Sequence, residues 1–437
     1  MEHLKPVLPI TAEVNADGHL SIGGCDTVAL AQRFGTPLYV YDEATLRARA
    51  REHVSNLQRS YPDSLVIYAC KAFTAPLLLQ IFQQEGLGLD VVSGGEIFAA
   101  RYVGFPMDRV YFHGNNKTPQ ELVEAVEAGV GRVVVDGHTE IDLLNRVAVE
   151  RGRRVPVMLR LSPGVEAHTH DYRKTGILDS KFGFPIVTGD AARAVARVLE
   201  SPGLELVGFH THVGSQIFDL QPYVESVAIA MDFAASMREA HGFVPREFSP
   251  GGGWGIAYTA ADAPPPISEV VATLASVVRS AAEQRRLPLP RLVVEPGRSI
   301  VGPAGVALYT VGAIKDVPGI RRYVSVDGGM ADNIRPALYG AKYEALVANR
   351  PTAPAAERVT IAGKYCESGD ILLRDVDLPT LQPGDVLAVP ASGAYNLAMA
   401  SNYNMAPKPA VVLVGDGQAR LMCRRQRYEE LLQLPDA

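Results

Sequence analysis

From about residue 40 to residue 300 the chain alternates short apolar, β-branched runs with longer stretches whose apolar residues recur at the helical period, which is the βα signature. Strands are expected at 66–69, 88–92, 109–112, 132–135, 155–161, 204–210, 246–248 and 291–295. Helices are expected at 119–128, 138–151, 190–199, 221–241 and 267–284. Eight such strands match a parallel (β/α)8 TIM barrel of about 250 residues. A doubly wound open sheet is the rival architecture, but no G-x-G-x-x-G follows a first strand.

Beyond Pro303 the helical period gives way to runs at 306–311, 322–326, 358–361, 386–389, 410–414 and 420–423, so this part is expected to be mostly β. A turn-rich strand pattern near 19–22 suggests that the N-terminal segment packs with it. The expected organisation is a segment 1–35 joined to the β domain, a barrel over 36–302 and a β-rich domain over 303–437.

Composition narrows the chemistry. With 437 residues, 47% hydrophobic and 21% charged, the chain can bury a large core and exceeds the usual size of one domain. Its net charge of −6 comes from interspersed acids and bases, which leaves no electrostatic footprint for nucleic acid or an anionic membrane. No apolar run approaches a membrane span, and the opening Met-Glu-His-Leu-Lys-Pro lacks the regions of a signal peptide, so a cytoplasmic protein acting on small molecules is expected. Cys25, Cys70, Cys366 and Cys423 are too scattered for a disulfide framework or a structural zinc site.

Barrel enzymes place their chemistry at the carboxyl ends of the strands, and unusual residues collect there. Lys71 is the only charged side chain of 64–80 and stands where the strand pattern turns helical. In partly apolar surroundings its amine loses solvation that favours the charged form and becomes a nucleophile toward a carbonyl; the bland alternative is a lysine with its stem on the core and its head in water. The second strand ends at Asp90 and Ser93-Gly-Gly-Glu96, the third at His113-Gly-Asn-Asn-Lys117, the sixth at His210-Thr-His212-Val-Gly-Ser-Gln216, the seventh at Gly251-Gly252-Gly253 and the eighth at Glu295-Pro-Gly-Arg298.

A glycine triplet after a late barrel strand exposes amides to an anion, and Ser215 and the amide of Gly297 supply further donors. An amine for an aldehyde plus a cradle for a phosphate point to pyridoxal 5′-phosphate. A carboxylate such as Glu295 opposite the ring nitrogen keeps the pyridine protonated; without a cofactor, Glu295 would simply pair with Arg298. His210-x-His212 and His168-x-His170 also have spacings that suit a catalytic metal. No pattern of further ligands accompanies them, and His212 to Gln216 reads better as an imidazole over a ring plus a serine on phosphate, so no metal is expected.

Tyr68-Ala-Cys-Lys71, His212-Val-Gly-Ser-Gln216, Gly251-Gly-Gly253, Glu295-Pro-Gly-Arg298 and Cys366-Glu-Ser-Gly-Asp370, in that order, resemble the fold-type III pyridoxal-phosphate decarboxylases over nearly the whole chain. The resemblance implies that Lys71 carries the cofactor, His212 stacks on its ring, Glu295 meets the pyridine nitrogen, and Ser215, Gly251, Gly252, Gly253, Gly297 and Tyr395 hold the phosphate, with Arg298 beside it. It also implies a homodimer in which Cys366 and Glu367 reach in from a second subunit, with Cys366 or Lys71 as proton donor. Arg298 and Arg335 match the family's arginines for a distal carboxylate, with Tyr339, Tyr395 and Glu367 completing the pocket. The implied reaction is decarboxylation of meso-2,6-diaminopimelate to L-lysine and carbon dioxide. Decarboxylation of ornithine, arginine or carboxynorspermidine, or amino-acid racemisation, is the alternative. The chain departs from the family pattern at Phe73, where Asn is usual, and at Lys364-Tyr365, where Gly-Pro precedes the cysteine motif.

Overall fold

The computed structural model describes residues 1–165 and 180–432. Ser64–Ala69 (β1), Gly88–Val91 (β2), Val110–Phe112 (β3), Arg132–Val135 (β4), Val155–Ser162 (β5), Leu204–His210 (β6), Glu247–Ser249 (β7) and Arg291–Val294 (β8) pair in parallel, each with the next. Closure comes from β8 pairing back onto β1, with Val294 opposite Val66. Leu65 and Ile67 of β1, with Tyr111, Val134, Met158, Val207 and Val293, form one buried cluster inside the ring. A packed interior of this kind leaves the chemistry to the strand ends.

The helices follow from local signals. Pro119–Ala128 starts with a capping box, in which Thr118 and Glu121 satisfy each other's exposed amides, and stops at Gly129 in the left-handed conformation. Asp190–Leu199 buries Ala191, Ala194, Val195 and Val198, one stripe at the helical period. Ser93 and Glu96, at the end of β2, have a structural role of the same sort. The Ser93 hydroxyl accepts from the Glu96 amide and the Glu96 carboxylate accepts from the Val92 amide, capping Gly94–Tyr102. Lys117 is buried as well, donating to Glu140 at 2.7 Å and to the carbonyls of Val134 and Gly114.

The chain divides into two units, the barrel unit of Ala50–Gly255 and Pro264–Gly297, and a second unit of Met1–Arg49, Ile256–Ala263 and the chain from Arg298 onward. The expected boundaries at 35/36 and 302/303 are corrected accordingly. Leu38–Asp42, expected within the barrel, is a central strand of the second unit, antiparallel to Gly305–Val317 and parallel to Ala410–Gly415. Its five residues are all buried, so a strand in that sheet satisfies both its backbone and its apolar faces. Ile256–Ala263, also expected inside the barrel, joins the same unit.

Among the described residues, nine strands build the large sheet of this unit, including Arg321–Val326, Glu357–Ala362, Ile371–Leu378, Val386–Val389 and Gln418–Cys423. In the N-terminal segment, Leu20–Ile22 pairs with Glu13–Val14 and Cys25–Asp26 in a small antiparallel sheet.

Candidate active site

At the carboxyl ends of the barrel strands the structure assembles Lys71, Asp90, His113, His210, His212, Ser249 and Glu295. Lys71 lies in the 3-10 turn Cys70–Ala72 immediately after β1. It is exposed within this chain, contrary to the partly apolar surroundings expected, because the turn carries it past the strand end while Cys70 and Ala72 remain buried. Its positive charge acts on Asp90, the buried aspartate of β2. Burial pushes the Asp90 carboxyl up to about 7, with Lys71 pulling against that rise and Glu295 adding to it.

Glu295 follows β8 and is 6% exposed. Burial alone would raise its carboxyl, but His210, hydrogen-bonded to it, overrides that and holds it well below the usual carboxylate range. His210 Nε2 lies 3.0 Å from Glu295 Oε2, and the Ser249 hydroxyl lies 2.8 Å from Oε1. The result is a buried anion at the end of a barrel strand.

The glycine triplet is explained by close backbone approach. A Cβ on Gly251 would come within 2.5 Å of the His212 ring, one on Gly252 would overlap the Glu295 carbonyl, and one on Gly253 the Gly214 carbonyl. Gly251 and Gly253 also take positive φ, at 80° and 95°. The loops after β6, β7 and β8 therefore meet at this triplet. The Gly252 amide donates to His212 Nδ1 at 3.3 Å, which fixes that ring, and burial pushes the His212 imidazole well below its usual range. Among the described residues the amides of Gly253 and Gly297 have no hydrogen-bond acceptor. Ser215 stands half-buried on the loop after β6.

A second constellation lies within the other unit. Arg298 and Arg335 are both buried, at 5% and 2% exposure. Arg298 donates to the Tyr258 hydroxyl and lies 4.6 Å over the Tyr395 ring. Arg335 lies 4.4 Å over the Tyr258 ring and donates to the Tyr343 hydroxyl, which in turn donates to Asn396 Oδ1 at 3.1 Å. Both guanidiniums thus pack against tyrosine rings and hydroxyls. Tyr395 holds a positive φ of 61° to take its place there. Sequence reasoning missed Tyr258, Tyr343 and Asn396, which sit outside helices and strands, where no period marks them.

Tyr339 ends the short helix Arg335–Tyr339 and is half-buried. Cys366 and Glu367 occupy an exposed loop of the same unit. The Cys366 amide donates to Asn404 at 3.1 Å, and Glu367 accepts from the Gly369 amide within the loop. Buried Asp370 anchors the loop by accepting from the Tyr365 and Met330 amides.

The metal alternative takes a different form in the fold. His113, His210 and Glu295 offer ligand atoms within 4.8 Å of one another, whereas His212 Nδ1 already accepts from Gly252. His168 and His170 lie outside the described residues.

The chain belongs to the pyridoxal-dependent decarboxylases: the family model for their pyridoxal binding domain matches residues 47–302. Its cofactor is accordingly pyridoxal 5′-phosphate. Within that class it falls among the diaminopimelate decarboxylases. It is 48% identical to diaminopimelate decarboxylase of Bacillus subtilis, with 97% of each chain covered. It is 34% identical to diaminopimelate decarboxylase of M. jannaschii solved in co-complex with L-lysine, with a TM-score of 0.91 and 97% of each chain covered. The lysine/ornithine decarboxylase of Vibrio vulnificus, at 21% identity, a TM-score of 0.73 and 89% and 97% coverage of the two chains, shares the fold.

The barrel rim fits this cofactor on observations of its own. The amides of Gly253 and Gly297, without acceptors, suit a phosphate; the ionised Glu295 suits a protonated ring nitrogen; and His212, its ring fixed by Gly252, suits a planar heterocycle.

Proposed function

We propose that the chain decarboxylates meso-2,6-diaminopimelate to L-lysine and carbon dioxide, a reading supported by relatives named diaminopimelate decarboxylase. The observation that carries the substrate choice is the pair of buried guanidiniums, Arg298 and Arg335, on either part of Tyr258. Diaminopimelate differs from ornithine or arginine in its distal carboxylate, and a buried site with two guanidinium forks rewards that group.

When bound, pyridoxal 5′-phosphate supplies a ring that accepts the electron pair released at the substrate's Cα. Lys71 Nζ would hold the cofactor between turnovers. Gly251, Gly252, Gly253, Gly297, Ser215 and Tyr395 would hold its phosphate, with Arg298 beside them. His212 would lie against the ring and Glu295 would keep the ring nitrogen protonated. Arg298, Arg335, Tyr339 and Tyr395 take the distal carboxylate, and Glu367 takes the distal ammonium. Carbon dioxide departs from Cα, and a proton from Cys366 Sγ or Lys71 Nζ replaces it there.

The working unit is a homodimer in the cytoplasm, with Cys366 and Glu367 donated by the second copy. Their exposure on a loop anchored by Asp370 supports donation to a partner. Among the described residues no helix is long and apolar enough to cross a membrane.

The deciding experiment is product analysis after the holoenzyme is incubated separately with meso-diaminopimelate, ornithine, arginine and alanine. Lysine and carbon dioxide from diaminopimelate alone are expected. Turnover of ornithine or arginine at a comparable rate would refute the role of the two arginines, and racemised alanine would refute the decarboxylase assignment.

A further inference from the structure

We infer that His210 and His113 are positioning residues for Glu295: together with Ser249 they hold its carboxylate ionised and aimed, so that the cofactor's ring nitrogen keeps its proton. This rests on the proposed role of Glu295 and adds the residues that make the role possible in a buried setting.

A carboxylate removed from water reverts to its neutral form unless donors fill its lone pairs. Glu295 has such donors on both oxygens. An ionised carboxylate has no proton to give, so the 3.0 Å contact to Oε2 is His210 Nε2–H donating. The Ser249 oxygen already accepts from the Gly251 amide at 3.1 Å, which leaves its own proton for Oε1 at 2.8 Å. Both oxygens keep a further lone pair for a ring N–H.

His113 supplies the restraint. It is 4% exposed and meets the His210 ring edge-on, with centroids 4.9 Å apart and planes at 71°, so His210 cannot swing away without displacing it. Its Nε2 stands 3.5 Å from Glu295 Oε1 and 3.8 Å from Asp90 Oδ1, and burial pushes its imidazole toward the neutral form. A neutral ring between two carboxylates separates them without cancelling the charge that Glu295 presents. An arginine there would form an ion pair and divert that charge.

The test uses holoenzyme reconstituted with pyridoxal phosphate carrying 15N in the ring, whose chemical shift reports protonation of that nitrogen. The wild-type signal is expected in the protonated range, and that of Glu295→Gln outside it. His210→Leu should move toward the unprotonated range and lower kcat about 10- to 100-fold, the usual effect of removing an orienting partner, with KM little changed. His210→Gln, whose amide N–H can still donate, should recover the wild-type shift. His113→Leu should move the signal in the same direction by less.

A folded His210→Leu protein with the wild-type 15N shift overturns the inference. If that variant does not fold, His210→Asn, whose amide falls short of Glu295, takes its place and the same two results decide. A wild-type shift in Glu295→Gln would instead overturn the ring-nitrogen role itself. Stoichiometric zinc retained by the apoprotein after dialysis, and lost in His113→Leu, would also overturn the inference, since the imidazoles would then be ligands.

Discussion

The guanidinium of Arg335 lies 4.4 Å from the centre of the Tyr258 ring. Because the hydroxyl of the same tyrosine accepts from Arg298, one side chain spaces the two cations. Tyr258→Phe keeps the ring but loses a hydrogen bond to a charged group, worth about 1.5 to 3 kcal/mol. KM for diaminopimelate should rise roughly tenfold with kcat nearly unchanged. Tyr258→Leu removes the cation–π contact as well, about 0.5 to 2 kcal/mol more, and should raise KM further. Steady-state kinetics of both variants provide the check, and a fall in kcat at constant KM would contradict the spacing role.

Arg335 is reached through a segment held by Asp332, which accepts from the hydroxyls of Tyr309 and Tyr39 and from the Gly329 amide. Burial pushes the Asp332 carboxyl up to about 6, although these donors pull against it. In the unfolded chain an aspartate titrates near 3.9. Between the two values the folded protein holds a proton that the unfolded chain has released, so stability falls as pH rises from about 4 to about 6 and then levels. Two pH units at about 1.4 kcal/mol each make the swing roughly 3 kcal/mol. The melting temperature of wild type relative to Asp332→Asn should drop across that window and stay constant above it. A difference independent of pH would mean that Asp332 titrates as an ordinary aspartate.

Lys117 and Glu140 are fully committed to each other and to nearby backbone, so their contribution is to stability. Lys117→Met strands a buried carboxylate and should cost about 3 to 5 kcal/mol. Lys117→Met combined with Glu140→Leu should recover more than half of that, because no charge is then left unpaired. Thermal unfolding of the single and double variants separates these outcomes; equal losses in both would show that the pair matters through packing rather than charge.

Much of the barrel was legible because its strands and helices differ in period. The ranges 119–128, 190–199, 221–241 and 267–284 return as helices at the same residues. Leu38–Asp42 was misplaced because its apolar run suits any buried sheet and its partners lie at Gly305–Val317 and Ala410–Gly415, far along the chain. Ile371–Leu378 was missed because Arg374, Asp375 and Asp377 break its apolar alternation, with Asp375 at a positive φ. At the site, Glu295 and the glycine triplet stood out as strand-end punctuation. The clustering of Tyr258, Tyr343 and Arg335 arises only from tertiary packing, and Cys366 had meaning only through the family resemblance.

Gly252 offers a direct test of how the cofactor cradle is built. Its missing side chain admits the Glu295 carbonyl, and its amide orients His212, so one residue controls the approach of two strand-end loops. Gly252→Ala places a Cβ where that carbonyl stands, and the backbone has to part. A shift of about 1 Å in positioned groups commonly costs on the order of a hundredfold. Pyridoxal phosphate affinity, measured by quenching of protein fluorescence, should fall by about that factor. Gly137→Ala is the matched control, since a Cβ there meets nothing within 4 Å and its φ of −159° suits alanine. Equal cofactor affinity in the two variants would show that the close approach at Gly252 is not what shapes the cradle.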